Sequence, residues 1–341
     1  LLLQKQHNRG QDGAGIAEVK IDLKPGQRYI SRLRSNESTP IKDLFNKAYD
    51  NIQKATKGNP KRLADVNWLK ANADFTGELF LGHLRYGTFG GNNISNLHPL
   101  VRSNNWKTRN RVLAGNFNMT NTGELFEQLV DLGQYPVETS DTVTVLEKIG
   151  HFLDEENQLL YTQGKKLGLS KKEITNHIIK TINIQSILNE SAKKWDGGYV
   201  IGGLLGHGDA FIMRDPNGIR PAFYYIDDEV VVAASERPVI QTAFNLSEKD
   251  VIELEPGHSL IIKKDAYVEI ERFIEPKPKK ACSFERIYFS RGTDKDIYQE
   301  RKKLGVLLTP NILKEIDYDI RNTVFSYIPN TASVAFQGMM D

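Results

Sequence analysis

The stretch "GYVIGGLLGHGDAFIMRDPNGIRP", residues 198–221, decides the fold. Its two apolar runs, 198–206 and 210–215, are of strand length and are split by a tight turn. The pattern continues through "PAFYYID" (221–227) and "EVVVAAS" (229–235), again with tight turns between. "DPNG" (215–218) predicts a hairpin-type turn, because Pro216 fixes φ and Gly218 tolerates a positive φ. "DVIELEPGHSLIIKK" (250–264) predicts a further hairpin around Pro256–Gly257.

Outward from this region, strands and helices alternate less densely. "LLLQKQ" reads as the end of a helix, and "QDGAGIAEVKIDL" (11–23) as a turn entering a strand. Residues 40–56 space their apolar side chains at helical intervals after Pro40, until "KGNPKR" breaks the pattern. "GELFLGHLRYG" (77–87) is a strand running into a glycine-rich turn, and "RVLAGNFN" (111–118) is a buried strand. "TGELFEQLVDLG" is a helix ended by Gly133. "SDTVTVLEKIGHFLDEE" (140–156) opens on two good N-cap residues. Residues 170–194 read as polar surface helices. "EPKPKKA" (275–281) reads as a linker and a domain boundary.

The chain of 341 residues is long enough for about two domains. A hydrophobic content of 39% and a charged content of 26% are those of a globular protein in water. A net charge of +2 gives no reason to expect a nucleic-acid or anionic-membrane partner. No apolar run approaches the roughly 20 residues that span a bilayer. The single cysteine, Cys282, excludes an internal disulfide and a cysteine zinc site. A cytoplasmic location is expected. The opening residues lack the pattern of a signal peptide and read as the middle of a helix, so the chain is expected to be a fragment.

"RGQDGAG" (9–15), "GHLRYGT" (82–88), "AGNFNMTN" (114–121), "SDT" (140–142) and "RDPNGIRP" (214–221) occur in an order that resembles the class II glutamine amidotransferases. Within that family the likeness is greatest to those acting on phosphoribosyl pyrophosphate. It resumes at "FERIYFSRGTD" (284–294) and "YIPNTASVAF" (327–336). The resemblance implies an α+β fold: a four-layer αββα sandwich of the N-terminal nucleophile hydrolase type over 1–275. The beginning of an α/β phosphoribosyltransferase-like domain would follow over 276–341. It implies a glutaminase whose ammonia converts phosphoribosyl pyrophosphate to 5-phosphoribosylamine in purine synthesis. A non-catalytic glutamine-binding module, or the glutaminase of another synthase such as one making glucosamine 6-phosphate, is the alternative.

The motifs nominate residues. Arg85 is the only charged side chain in "GHLRYGTFGG" (82–91), where glycines let a ligand approach the backbone. A guanidinium held at a strand end offers two parallel donors to a carboxylate. The resemblance makes Arg85 the anchor of the glutamine α-carboxylate, with Thr88 beside it, and Asp141 the partner of the α-ammonium. If Ser140 takes the helix cap, Asp141 is left to face the pocket. The resemblance assigns Asn116 and the backbone N–H of Phe117 to the oxyanion. One such donor is typically worth about 2.7–4 kcal/mol in the transition state. Phe117 stands where the family usually has glycine. Either it adopts a strained positive φ, or the local chain is arranged so that a negative φ suffices; the second is expected. His83, His98 and His207 lack metal-site spacing and read as structural, as does "RDPNGIRP".

The family's nucleophile is an N-terminal cysteine whose own amine is the base, and Cys282 cannot be that group. The first strand is therefore expected to lie outside this sequence, and the chain as it stands to bind glutamine without hydrolysing it by this route. No cofactor is expected in the chain: one cysteine cannot hold an iron–sulfur cluster. Magnesium with phosphoribosyl pyrophosphate would belong to the rest of the transferase domain, whose pyrophosphate loop is not in the sequence. L-glutamine as small-molecule substrate and a homo-oligomeric state complete the expectation.

Overall fold

The computed structural model of the protein describes residues 1–87 and 93–341. In chain order the strands are β1 (Gly13–Val19), β2 (Ile30–Ser35), β3 (Leu79–Arg85), β4 (Leu100–Arg102), β5 (Arg111–Met119), β6 (Gly197–Leu205), β7 (Ala210–Arg214), β8 (Phe223–Ile226), β9 (Val231–Ala234), β10 (Ile252–Glu253), β11 (His258–Ile262) and β12 (Val268–Arg272). The helices are α1 (Leu2–Lys5), α2 (Pro40–Thr56), α3 (Pro60–Ala64), α4 (Val66–Asn72), α5 (Thr122–Asp131), α6 (Asp141–Lys166), α7 (Lys171–Thr181), α8 (Ile184–Ala192), α9 (Arg237–Phe244), α10 (Lys295–Glu315) and α11 (Ser333–Met340). They form two compact units. Residues 1–222 and 254–280 make the first, and 223–253 with 281–341 make the second.

The first unit is the layered α+β sandwich. One antiparallel sheet has the order β2–β1–β3, the other β12–β11–β7–β6–β5–β4. Helix α2 covers β1 and β2, while α6 lies on β5 with α5, α7 and α8 packed around it. Alternation along the strands sorts their side chains between two cores. Val112 and Leu204 meet Ala17 and Val19 between the sheets. Leu113, Ile201, Met213 and Ile261 meet Leu146, Ile149, Leu153 and Leu188 under the helices.

Three local readings are corrected. Helices α7 and α8 are not polar surface elements: Ile174, Ile178, Ile184, Ile187 and Leu188 are all in the helix-side core. Their apolar residues recur at helical spacing, and that stripe decides the packing despite the surrounding charge. "DPNG" closes no hairpin. Gly218 does take a positive φ of 59°, but β7 pairs with β6 and β11, whereas β8 pairs with β9 and β10. Pro256–Gly257 closes none either, since β10 and β11 belong to different sheets. The hairpin in that region is β11–β12, turning through Ala266 at φ 67°.

"RDPNGIRP" is a structural knot. The buried Asp215 carboxylate accepts hydrogen bonds from the backbone N–H groups of Tyr199 (3.3 Å), Asn217 (3.0 Å), Ile219 (3.0 Å) and Arg220 (3.1 Å). The equally buried Arg214 donates to the carbonyls of Arg220 (2.8 Å), Gly218 (3.1 Å) and Leu254. In the second unit β10–β8–β9 form a small sheet, α9 packs on β8 and β9, and α10 packs on α11. Among the described residues no helix is long and apolar enough to cross a membrane.

Candidate active site

The site is built at the edge of β5 where β4 stops. In the β5–β6 ladder the even-numbered residues of β5 turn their backbone groups toward β6. The Thr120 N–H to Asp196 carbonyl bond, 2.9 Å, continues that register. Odd-numbered residues of β5 therefore turn theirs to the opposite edge. β4 covers that edge only from Arg111 to Leu113. Beyond it, the Gly115 N–H donates to His98 Nδ1 at 3.2 Å, and the Gly115 carbonyl lies 3.1 Å from His83 Nε2. The N–H of Phe117 faces the same edge two residues further on. Residues 94–96, which would continue past β4 toward it, form a 3₁₀ turn instead of a strand.

Phe117 is not among the described residues with positive φ; it sits in β5 opposite Tyr199. The extended backbone settles the two alternatives left by the sequence: no left-handed strain is needed. Its ring stacks on His98 at 5.8 Å and packs against the helix-side core. Phe117→Gly is expected to lower stability by about 3 kcal/mol, from lost burial and added backbone freedom. Urea denaturation measures this, and an unchanged midpoint would reject the anchoring role of the ring. Asn116, on the opposite face of the strand, points its side chain toward the space between the sheets.

Arg85 ends β3, opposite Gly13 of β1. Leu79 and Leu81 face the inter-sheet core, so His83 and Arg85 follow on the same face. Arg85 Nη1 donates to the Asn96 carbonyl at 2.9 Å. Arg34 Nη1 holds the neighbouring carbonyls of Ser95 (3.0 Å) and Leu97 (2.9 Å). The "QD" of "RGQDGAG" fixes the end of the strand: the Asp12 N–H donates to the Arg85 carbonyl at 3.1 Å, and Asp12 Oδ2 accepts from the Gly87 N–H at 2.7 Å. Gly15 has to be glycine, because a Cβ there would lie 1.9 Å from the carbonyl oxygen of His98. Thr88 lies outside the described residues.

Asp141 is the first residue of α6, and the cap belongs to Ser140, whose side chain accepts from the Val143 N–H. Thr142 links this helix end to the histidines: its Oγ1 is 3.2 Å from His98 Nε2 and 3.3 Å from Asp141 Oδ1. Burial pushes the Asp141 carboxyl above the ordinary carboxylate range, against hydrogen bonds from Thr142 and from the backbone of Met119. Burial pushes His83 down to about 4, and it holds His98 well below 6.5 with help from the charges of His83, Arg85 and Arg34. The two rings lie 4.5 Å apart.

Two neutral histidines thus tie together β3 with Arg85, the edge of β5 with Asn116 and Phe117, and the start of α6 with Asp141. The sequence reading nominated the three ends of this arrangement and read His83 and His98 as structural, without the register that brings them together at its centre. A histidine before proline at residue 98 was the one visible signal.

The layers and their order match the fold of solved glutamine phosphoribosylpyrophosphate amidotransferase structures. In sequence the chain is similar to curated amidophosphoribosyltransferases. It is 28% identical over 325 residues to the amidophosphoribosyltransferase of Bacillus subtilis, covering 92% of this chain and 54% of the relative. It is 28% identical over 247 residues to that of Archaeoglobus fulgidus, covering 71% and 47%. The chain spans about half the length of the curated relatives it matches. Among solved structures, the glutamine phosphoribosylpyrophosphate amidotransferase of B. subtilis complexed with ADP and GMP superposes with a TM-score of 0.62 at 23% identity, over 99% of this chain and 59% of that one. The structure described as the allosteric regulatory enzyme of purine biosynthesis gives 0.64 at 24%, with the same coverage. No family model matches the chain.

Proposed function

We propose that the first unit binds free L-glutamine and is the ammonia-releasing part of an amidotransferase that makes 5-phosphoribosylamine from phosphoribosyl pyrophosphate. The observation that carries this reading is the meeting of β3, β5 and α6 around Gly115, with a cation at one end and a half-buried carboxylate at another. Arg85 would take the α-carboxylate through two parallel N–H donors. Asp141 would take the α-ammonium, whose charge offsets the burial of the carboxylate. A free amino acid presents both charges, whereas a glutamine residue within a peptide does not.

Attack on the side-chain amide carbon places negative charge on its oxygen. The Asn116 amide and the Phe117 N–H are the donors assigned to that charge. Because the ladder with β6 does not use the Phe117 N–H, its donation to the oxyanion breaks no sheet bond. Residues 276–341 would begin the transferase domain that receives the ammonia.

Calorimetric titration of the chain with L-glutamine tests the reading. Saturable binding to the unaltered chain and its loss in Arg85→Ala are expected. Arg85→Lys is expected to bind poorly too, because an ammonium cannot reproduce the fork. Wild-type affinity in Arg85→Ala would reject the assignment of Arg85.

A further inference from the structure

We infer that His98, as the neutral Nε2–H tautomer, is a positioning residue that orders the Asp141 carboxylate through the hydroxyl of Thr142. The inference rests on the reading of Asp141 as the ammonium partner and adds the element that holds it in place.

The direction of every link is forced by the chemistry of its ends. A backbone N–H can only donate, so the Gly115 N–H, 3.2 Å away, requires a lone pair on His98 Nδ1. The ring proton is then on Nε2, which can only donate, and Thr142 Oγ1 receives it at 3.2 Å. The hydroxyl proton of Thr142 is left to point at Asp141 Oδ1, 3.3 Å away. One carboxylate oxygen is thereby held, and the polarity of the chain runs from the β5 edge to the helix start. Protonation of His98 would turn Nδ1–H against the Gly115 N–H and break the first link.

The surroundings oppose that protonation. Burial removes water from it, and the guanidinium charges of Arg85 on β3 and Arg34 on β2 oppose a further positive charge. The Phe117 ring covers it from β5, and Gly15 of β1 lets its carbonyl approach the backbone. Among the described residues, Asp141 is the acidic group linked to it, through Thr142. A residue that merely filled this space would need no fixed tautomer. This one has a committed bond at each nitrogen, and one of them leads to the group that selects an α-ammonium.

The test compares L-glutamine with glutaramate, which is glutamine without its α-ammonium, by calorimetry on the full chain. The unaltered chain is expected to prefer L-glutamine. His98→Leu and Thr142→Val should each cut that preference about tenfold, leaving the affinity for glutaramate within about twofold. The double variant should lose no more than either alone. His98→Gln should keep the preference, because its amide oxygen can accept from Gly115 and its NH₂ can donate to Thr142. Thr142→Val keeps the test open if His98→Leu does not fold. An unchanged preference in Thr142→Val and His98→Leu would overturn the inference, as would a His98→Gln variant as impaired as His98→Leu. No glutamine binding by the unaltered chain would instead remove the proposed function, and the inference with it.

Discussion

Asp215→Ala is expected to destabilise the first unit by about 4 kcal/mol, enough to abolish a marginal fold. The carboxylate is fully buried, and four backbone N–H groups converge on it. Alanine would leave these donors without partners where water cannot readily replace the oxygen atoms, and each orphan costs about 1–3 kcal/mol. The costs do not add fully, because the loop can relax. Arg214 next to it would also keep a buried positive charge with less compensation. Asp215→Asn should fall between the two, since an amide oxygen satisfies part of the set. Denaturant titration followed through Trp195, which is buried against Tyr199 in this unit, reads the effect. A loss below about 1 kcal/mol in Asp215→Ala would show that the turn holds itself without the carboxylate.

Acid should weaken the same unit between pH 6.5 and about 4, and two residues should account for much of it. His83 is pushed down to about 4 by burial, and His98 also lies well below the ordinary 6.5. Both are neutral in the native state at neutral pH. The unfolded chain takes up protons below about 6.5 and the folded chain does not, so the unfolded state binds more protons and stability falls as the pH drops. Each unit of difference is worth about 1.4 kcal/mol. The loss for His83 is therefore about 2–3 kcal/mol by pH 4, and that for His98 continues in the same direction. Asp141 acts oppositely: its raised value means the folded state holds a proton that the unfolded state releases, which offsets part of the loss just above pH 3.8. Urea midpoints at pH 7, 6, 5 and 4.5 measure the slope (values chosen to span the window). Replacing both histidines by glutamine should flatten it, and an equally steep slope in that variant would show that other groups dominate.

The strands of the sandwich were legible because their apolar runs are short and strongly patterned. The start of α6 was legible because "SDT" offers good N-cap residues ahead of the helix, and Ser140 takes the cap. Turn chemistry was legible only as local geometry. Pro216 and Gly218 bend the chain wherever it goes next, and nothing in "DPNG" says that β7 and β8 join different sheets. The β11–β12 turn was missed for the converse reason, since Ala266 holds a positive φ without a glycine to announce it. The polar reading of α7 and α8 weighed composition above periodicity, and burial followed the isoleucine spacing. At the site, the end groups carry motifs, whereas the roles of His83 and His98 depend on which residues fall opposite Gly115 once β4 has ended. That is a matter of register between segments distant in sequence, which a single sequence does not display.

The division of the chain into 1–222 with 254–280 and 223–253 with 281–341 has a consequence in time. The backbone passes between the units at 222/223, 253/254 and 280/281, three junctions where a simple tandem would have one. On a ribosome the small sheet of β8, β9 and β10 is synthesised before any residue of 281–341. At about 5–20 residues per second, this segment, with α9 already made, waits roughly 3–12 s for α10 and α11. A gene cut at residue 275 would make the wait permanent, whereas one cut after 222 would also remove β11 and β12 from the large sheet. Neither truncation yields a self-contained piece, so the two units are most faithfully studied as one expressed chain.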